Sequence, residues 1–343
     1  MSARLALAAA MALIATPAAA QDASQLADRF ERALVAGDYR DLPLTEDFTY
    51  TENGARLDPW DGMWRTLTAV EGAVDHPELD YRLAMEWQDK VVRVVEFDEN
   101  TVHGVMAYLL QVRDGQIASV DVLPIREEFG GDRGGTLTLL QPMLPFTMDG
   151  ELVGAIDPTL TSPAQFGGAE AEARMAAYLG DPGSDPGLVT FSPDCIRRDN
   201  GRQSTGVADS PLLDPAVPGF RPYALSCEEQ FRSGFFSNLT LDGYNGFGSE
   251  ELGLLVVFAR LDQSGTQLSF TTPDGTQIAY PGPRGAVQGA NTGEQFDGRI
   301  LSNMITPMSV NGVYIFKFDA DGAISRIEAF YRGAPLGWDA VPD

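Results

Sequence analysis

The hydrophobic pattern of this chain is written twice in the same order, and a duplicated pattern asks for a duplicated folding unit. In the first copy, Leu26, Phe30, Ala33 and Leu34 recur at helical spacing within residues 24–36, with Ser24 placed to cap the start and Gly37 to end it. A short strand follows within 42–57 and runs into an Asn53-Gly54 turn. After the block Asp61-Gly62-Met63-Trp64-Arg65-Thr66, the alternation predicts strands near 81–87, 91–97 and 102–112, an Asp114-Gly115 turn, and a strand at 116–123. The second copy opens with a helix over 169–179 ending at Gly180, carries an Asn200-Gly201 turn within 188–205, and has a strand at 253–262. Its last segment, 313–332, matches 107–126, with Gly322 and Ile324 answering Gly115 and Ile117.

The copies differ in length. From Gly54 to Gly115 is 61 residues, and from Gly201 to Gly322 is 121. The surplus is expected as loops at 206–222 and 263–298, both rich in Gly, Pro, Thr and Asp. Residues 127–168 join the copies; Gly130-Gly131 and Gly134-Gly135 lie near the start, and Leu137–Met148 is apolar enough to pack. The expected organisation is therefore a leader at 1–20, a first domain at 21–126, a connecting segment at 127–168 and a loop-expanded second domain at 169–343.

Residues 1–20 carry one positive charge at Arg4, a short apolar run from Leu5 to Ala15, and small residues up to Ala20. That is the pattern of a secretory signal peptide cleaved after Ala20, which implies a periplasmic or secreted protein. No later segment approaches 18 unbroken apolar residues, so no membrane insertion is expected. With 49 acidic residues against 24 Lys and Arg, the formal charge is −25; phosphate backbones need clustered cations, so nucleic acid is excluded as a partner. In an oxidising compartment the only cysteines, Cys195 and Cys227, are expected to form a disulfide.

The helix, the strand bearing Thr51-Glu52-Asn53-Gly54, the Gly62-Met63-Trp64-Arg65-Thr66 block and the long meander resemble the nuclear transport factor 2-like superfamily, with its SnoaL-like relatives. The chain is similar to an exported group with two tandem copies, in which the first segment is answered by Cys195-Ile196-Arg197-Arg198-Asp199-Asn200-Gly201-Arg202-Gln203-Ser204-Thr205 and then by Cys227-Glu228-Glu229-Gln230-Phe231. It differs at Tyr244–Gly248, where a more basic stretch is expected. The resemblance implies an α+β fold of two tandem cones, each a curved antiparallel sheet packed on N-terminal helices around an apolar pocket. The two domains are expected to pack through their sheets as an internal pseudo-dimer.

Several chemistries are absent from the sequence. There is no His-Glu-x-x-His, Walker A loop, Gly-x-Ser-x-Gly elbow or Cys-x-x-Cys. Two histidines, His76 and His103, cannot build a His-rich zinc site, so neither metal nor cofactor is expected. Residues 317–328 mimic a calcium loop but begin with Lys317 where a carboxylate belongs, and Gly246-Phe247-Gly248 reads as a Gly-rich turn. The richest cluster is Tyr50, Glu52, Trp64 and Arg65. Strict alternation puts Phe48, Tyr50 and Glu52 on one strand face. A buried Glu52 or an inward His103 would serve as general base and Tyr50 as hydrogen-bond donor, with Trp64, Arg65 and Tyr108 contacting the ligand. The alternative is structural: Glu52 accepts backbone N–H bonds at the turn, Arg65 pairs with it, and Trp64 fills the core. Arg197, Asp199 and Gln203 hold the comparable places in the second copy, which favours a shared turn-stabilising role. The leading expectation is a small, largely apolar ligand bound in the first cone, with a cofactor-free isomerase, dehydratase or lyase reaction; the rival is a non-catalytic binding or interaction module.

Overall fold

Helix α1 (Ala23–Ala36) forms because Leu26, Ala27, Phe30 and Leu34 make one buried stripe. It stops at Gly37, whose positive φ of 63° lets its N–H and that of Asp38 turn back to the carbonyls of Leu34 and Ala33, at 3.1 and 3.0 Å. The chain continues as β1 (Leu44–Glu52), β2 (Ala55–Leu57), the one-turn α2 (Met63–Thr66), β3 (Leu67–Val70), β4 (Arg82–Trp87), β5 (Lys90–Glu99), β6 (Val102–Arg113) and β7 (Gln116–Arg126). The second half runs α3 (Gly168–Tyr178), β8 (Phe191–Asp199), β9 (Arg202–Gln203), α4 (Cys227–Arg232), β10 (Leu239–Ser249), β11 (Leu254–Gln263), β12 (Ser269–Thr271), β13 (Gln277–Ala279), β14 (Met308–Phe318) and β15 (Ile324–Ala334). This computed structural model describes residues 23–70, 82–87, 89–100, 102–126, 168–200, 202–207, 224–249, 253–267, 269–275, 277–279 and 307–342. The leader, His76 and nearly all of the connecting segment lie outside them, as does most of 206–222.

The two halves build their sheets in the same order. The first reads β2-β1-β7-β6-β5-β3, with β4 also on β5; the second reads β9-β8-β15-β14-β11-β10. Both are mixed sheets rather than the fully antiparallel ones expected, because β1 runs parallel to β7 and β8 parallel to β15. Strands β5, β6 and β7 alternate in direction as hairpins, and β1 joins the free edge of β7 running the same way as it. The likeness extends to register. Residues 44 to 49 of β1 face 117 to 119 of β7, and residues 191 to 196 of β8 face 324 to 326 of β15, so both copies carry the same bulge at the same place. Asn53 donates to the carbonyl of Val122 at 2.9 Å, and Asn200 to that of Ala329 at 2.8 Å, both from left-handed turns.

Each sheet buries two faces. Met106, Tyr108 and Leu110 of β6 join α1 in one core, and Tyr314, Phe316 and Phe318 of β14 join α3 in another. The alternate residues Val105, Ala107 and Leu109, with Val92 and Val94, pack with Val256, Phe258, Val313, Ile315 and Phe330 in a third core between the sheets. Two buried faces explain why β5, β6, β11 and β14 read as nearly unbroken apolar runs. The molecule is thus two sheet-based halves with few helices, stacked sheet to sheet.

Two further expectations change. The stretch 263–298 contains a two-stranded hairpin, β12–β13. Gly246 and Gly248 belong to the regular strand β10 rather than to a turn; Phe247 faces the inter-sheet core while the glycines pack against Leu255, so the missing side chains hid the alternation. The calcium-like residues form a tight hairpin, in keeping with Lys317 at the place of the first carboxylate, and Asp319 Oδ1 accepts the N–H groups of Asp321 and Ala323 at 3.0 and 2.9 Å. The Cys195–Cys227 disulfide is present and ties β8 to α4.

Candidate functional site

Alternation along β1 brings Tyr50 and Glu52 inward, as the sequence suggested, and both are buried. The Tyr50 hydroxyl donates to Glu52 Oε1 at 2.6 Å, and the Met63 backbone N–H donates to the same oxygen at 2.6 Å. Met63 opens α2, and the preceding Gly62 has no side chain to cap it, so the carboxylate across the fold does so. A Cβ on Gly62 would lie 2.3 Å from Glu52 Oε1, so only glycine admits the acid there. Burial raises the Glu52 pKa above its ordinary 4.5, and the bonds from Tyr50 and Met63 pull back against that rise. Burial and the neighbouring Glu52 push the Tyr50 phenol well above its ordinary range, which keeps it a donor.

The other expected site residues scatter. Trp64 is buried among the rings of Phe30, Tyr39 and Tyr50 at centroid distances of 5.7, 6.0 and 5.9 Å, and its Nε1 has no hydrogen-bond partner. Arg65 does not reach Glu52, the partner that the structural alternative gave it. Its side chain is 65% exposed and pairs with Asp61 at 2.7 Å, one helical turn away, because α2 turns it outward while burying Met63 and Trp64. Tyr108 is buried but already committed, donating to Glu31 Oε1 at 2.6 Å. On β6 the residues facing the first-half core are Met106, Tyr108 and Leu110; the backbone of His103, opposite Asp98, takes the other parity, and its side chain lies outside the described residues.

Buried ionic groups in the first half, Arg93 and Glu99 among them, escaped the sequence reading. Arg93, almost fully buried, pairs with Asp28 at 2.6 Å and Glu31 at 3.0 Å and donates to Ser24 Oγ at 2.9 Å. The signal was available: an arginine inside Val91-Val92-Arg93-Val94-Val95 demands acids, and Ser24, Asp28 and Glu31 share one face of α1. Arg126 pairs with Glu99, which also accepts from Thr66. Burial opposes the Glu99 charge, but Arg126 and Thr66 outweigh it and hold its pKa below the ordinary value.

In the second half Arg197 stands where Tyr50 does and Asp199 where Glu52 does, since Glu52 faces Val122 and Asp199 faces Ala329 at matching places on the last strand. Arg197 makes a two-pronged pair with Asp199 at 2.7 and 3.0 Å, bonds the Tyr178 hydroxyl, and lies 4.3 Å from the Phe236 ring centre. Ser204 donates to Asp199 Oδ2, the oxygen that Arg197 Nε also bonds. Gln203 turns away to the carbonyl of Thr205 at 2.8 Å. A cavity of about 20 Å³ remains beside Arg197, Phe236 and Tyr314, room for one water and no organic ligand.

The same position therefore holds an acid engaged by its own chain in both halves. Comparison adds no assignment. No family model matches the sequence, and no curated protein matches it closely enough to show a family. No helix among the described residues is long and apolar enough to cross a membrane.

Proposed function

We propose that this chain is a non-catalytic, exported binding module of the nuclear transport factor 2-like, SnoaL-like kind, built from two tandem α+β cones packed as an internal pseudo-dimer. The observation that carries the reading is the shared fate of Glu52 and Asp199. Each acid sits just before the Asn-Gly turn, and each is occupied by intrachain donors: Tyr50 and Met63 in one half, Arg197 and Ser204 in the other. A general base needs a lone pair aimed at substrate, whereas these carboxylates hold the turn and the following segment. The aromatic filling around Phe30, Tyr50 and Trp64 supports the same conclusion. The disulfide and the leader pattern support export.

One observation favours the second reading, a cofactor-free proton transfer in the first half. Glu52 has a raised pKa, and the buried Trp64 N–H, which shares the Tyr50 ring cluster, lacks a partner. Incubating the protein with small ketones in deuterated buffer separates the two. The binding-module reading expects no α-proton exchange above the buffer rate. Exchange that disappears in Glu52→Gln would establish Glu52 as a base and overturn it.

A further inference from the structure

The seam between the halves contains a cleft of about 300 Å³, walled by Asn53 of the first half and by Asn311, Arg332, Ala334, Pro335 and Trp338 of the second. Its size reaches the lower end of the range for small-molecule sites, about 300–1,000 Å³. The C-terminal segment builds one wall. Asn311 anchors it by donating to the Trp338 carbonyl at 3.0 Å and accepting the Ala340 N–H at 3.1 Å, and the Trp338 indole N–H donates to the Asn53 carbonyl at 2.8 Å. Gly54 admits this segment: a Cβ there would lie 2.1 Å from the Asp339 carbonyl oxygen. The wall is thus fastened at both ends, and the cleft is a fixed feature of the seam.

Asn53 is the unusual member. Its counterpart Asn200 uses its side chain fully, accepting the Tyr331 N–H at 2.9 Å and donating to the Tyr331 carbonyl at 3.1 Å. Tyr331 lies two residues beyond Ala329 on β15, and the residue two beyond Val122 on β7 is Pro124, which has no N–H to give. Asn53 Oδ1 is accordingly a buried acceptor with no partner, a state that costs free energy until a donor meets it. The carbonyl and N–H of Asn53 are already used, Oδ1 is the acceptor left without a partner, and Asn53 lines the cleft, where rotation about its broad terminal torsion would present that oxygen.

We propose that the seam cleft binds a small, uncharged aromatic molecule bearing one hydroxyl or amino donor, which bonds Asn53 Oδ1 and packs its ring against Trp338. The alanine, proline and indole surfaces suit an apolar ring. A formal charge of −25 disfavours an anion. The inference rests on the reading of the chain as a binding module and gives that module a site outside both domain interiors.

Titration of the full chain with β-naphthol and with its methyl ether, which keeps the shape but lacks the donor, tests it through the tryptophan indole N–H resonances. β-Naphthol is expected to shift the Trp338 signal and to bind about three- to tenfold more tightly than the ether, the worth of one hydrogen bond. Asn53→Gly, which suits the positive φ at that position, is expected to remove the preference, and Ala334→Leu to block both probes. A preference that survives Asn53→Gly overturns the proposal. So does binding that moves Trp64 while Trp338 stays silent, although the binding-module reading would then stand. If neither probe binds, the seam proposal falls, and the binding-module reading is judged by the exchange experiment alone.

Discussion

Opposing effects meet on the single carboxyl of Glu52. Burial favours its neutral form, and the Tyr50 hydroxyl and Met63 N–H favour the charged one; burial wins, so the folded pKa lies above 4.5. A folded pKa raised above the unfolded one means that the native state binds the extra proton. The contribution of Glu52 to stability is therefore complete below about pH 4.5 and is lost as pH rises through its folded value. Glu52→Gln keeps an oxygen for both donors and removes the charge. It is expected to unfold at a higher urea concentration than wild type near pH 8 and at a similar one near pH 4, compared by urea midpoints at the two pH values. The same substitution leaves binding at the seam cleft unchanged, because the residue takes no part in its walls.

Among the elements, β8 and α4 depend most on a crosslink. Helix α4 has six residues, too few to persist alone, and a full capping box between Ser226 and Glu229 fixes its start. The disulfide joins Cys195 in β8 to Cys227 at the first position of the helix across 32 residues. Closing a loop of that length restricts the unfolded chain by about 3–4 kcal/mol. Cys195→Ala with Cys227→Ala is expected to lose roughly that much stability in urea unfolding, and hydrogen exchange is expected to rise first in α4 and around the Asn200-Gly201 turn. The helix also sends Gln230 Nε2 to the Ser204 carbonyl at 2.9 Å, so its loosening reaches the segment that holds Asp199.

Across the whole molecule, the layer between the sheets couples the halves. Val256 is completely buried there, among residues of both sheets. Val256→Asp places an unpaired charge in that layer and is expected to cost at least about 3 kcal/mol. It is expected to raise hydrogen exchange in β5 and β6 of the first half as much as in β11 and β14 of the second. A variant that unfolds only the second half, with β5 and β6 still protected, would show that the layer does not link them.

Local chemistry made the skeleton legible. The Asn-Gly and Asp-Gly turns, the glycine stops after α1 and α3, the alternation of the paired hairpins and the two cysteines each carry their own structural preference, and each stands where the pattern put it. The inward pair Tyr50 and Glu52 was readable for the same reason, since period-two alternation is a backbone property. Partnership was not readable. Arg65 turning to Asp61, Tyr108 bonding Glu31 in a helix 77 residues away, and the parity of His103 depend on how elements meet. The seam cleft is the extreme case. Its wall exists because a tryptophan 285 residues away folds back across the turn, and its unpartnered acceptor because Pro124 withholds one N–H from Asn53, and no local pattern brings those residues together until the sheets have stacked.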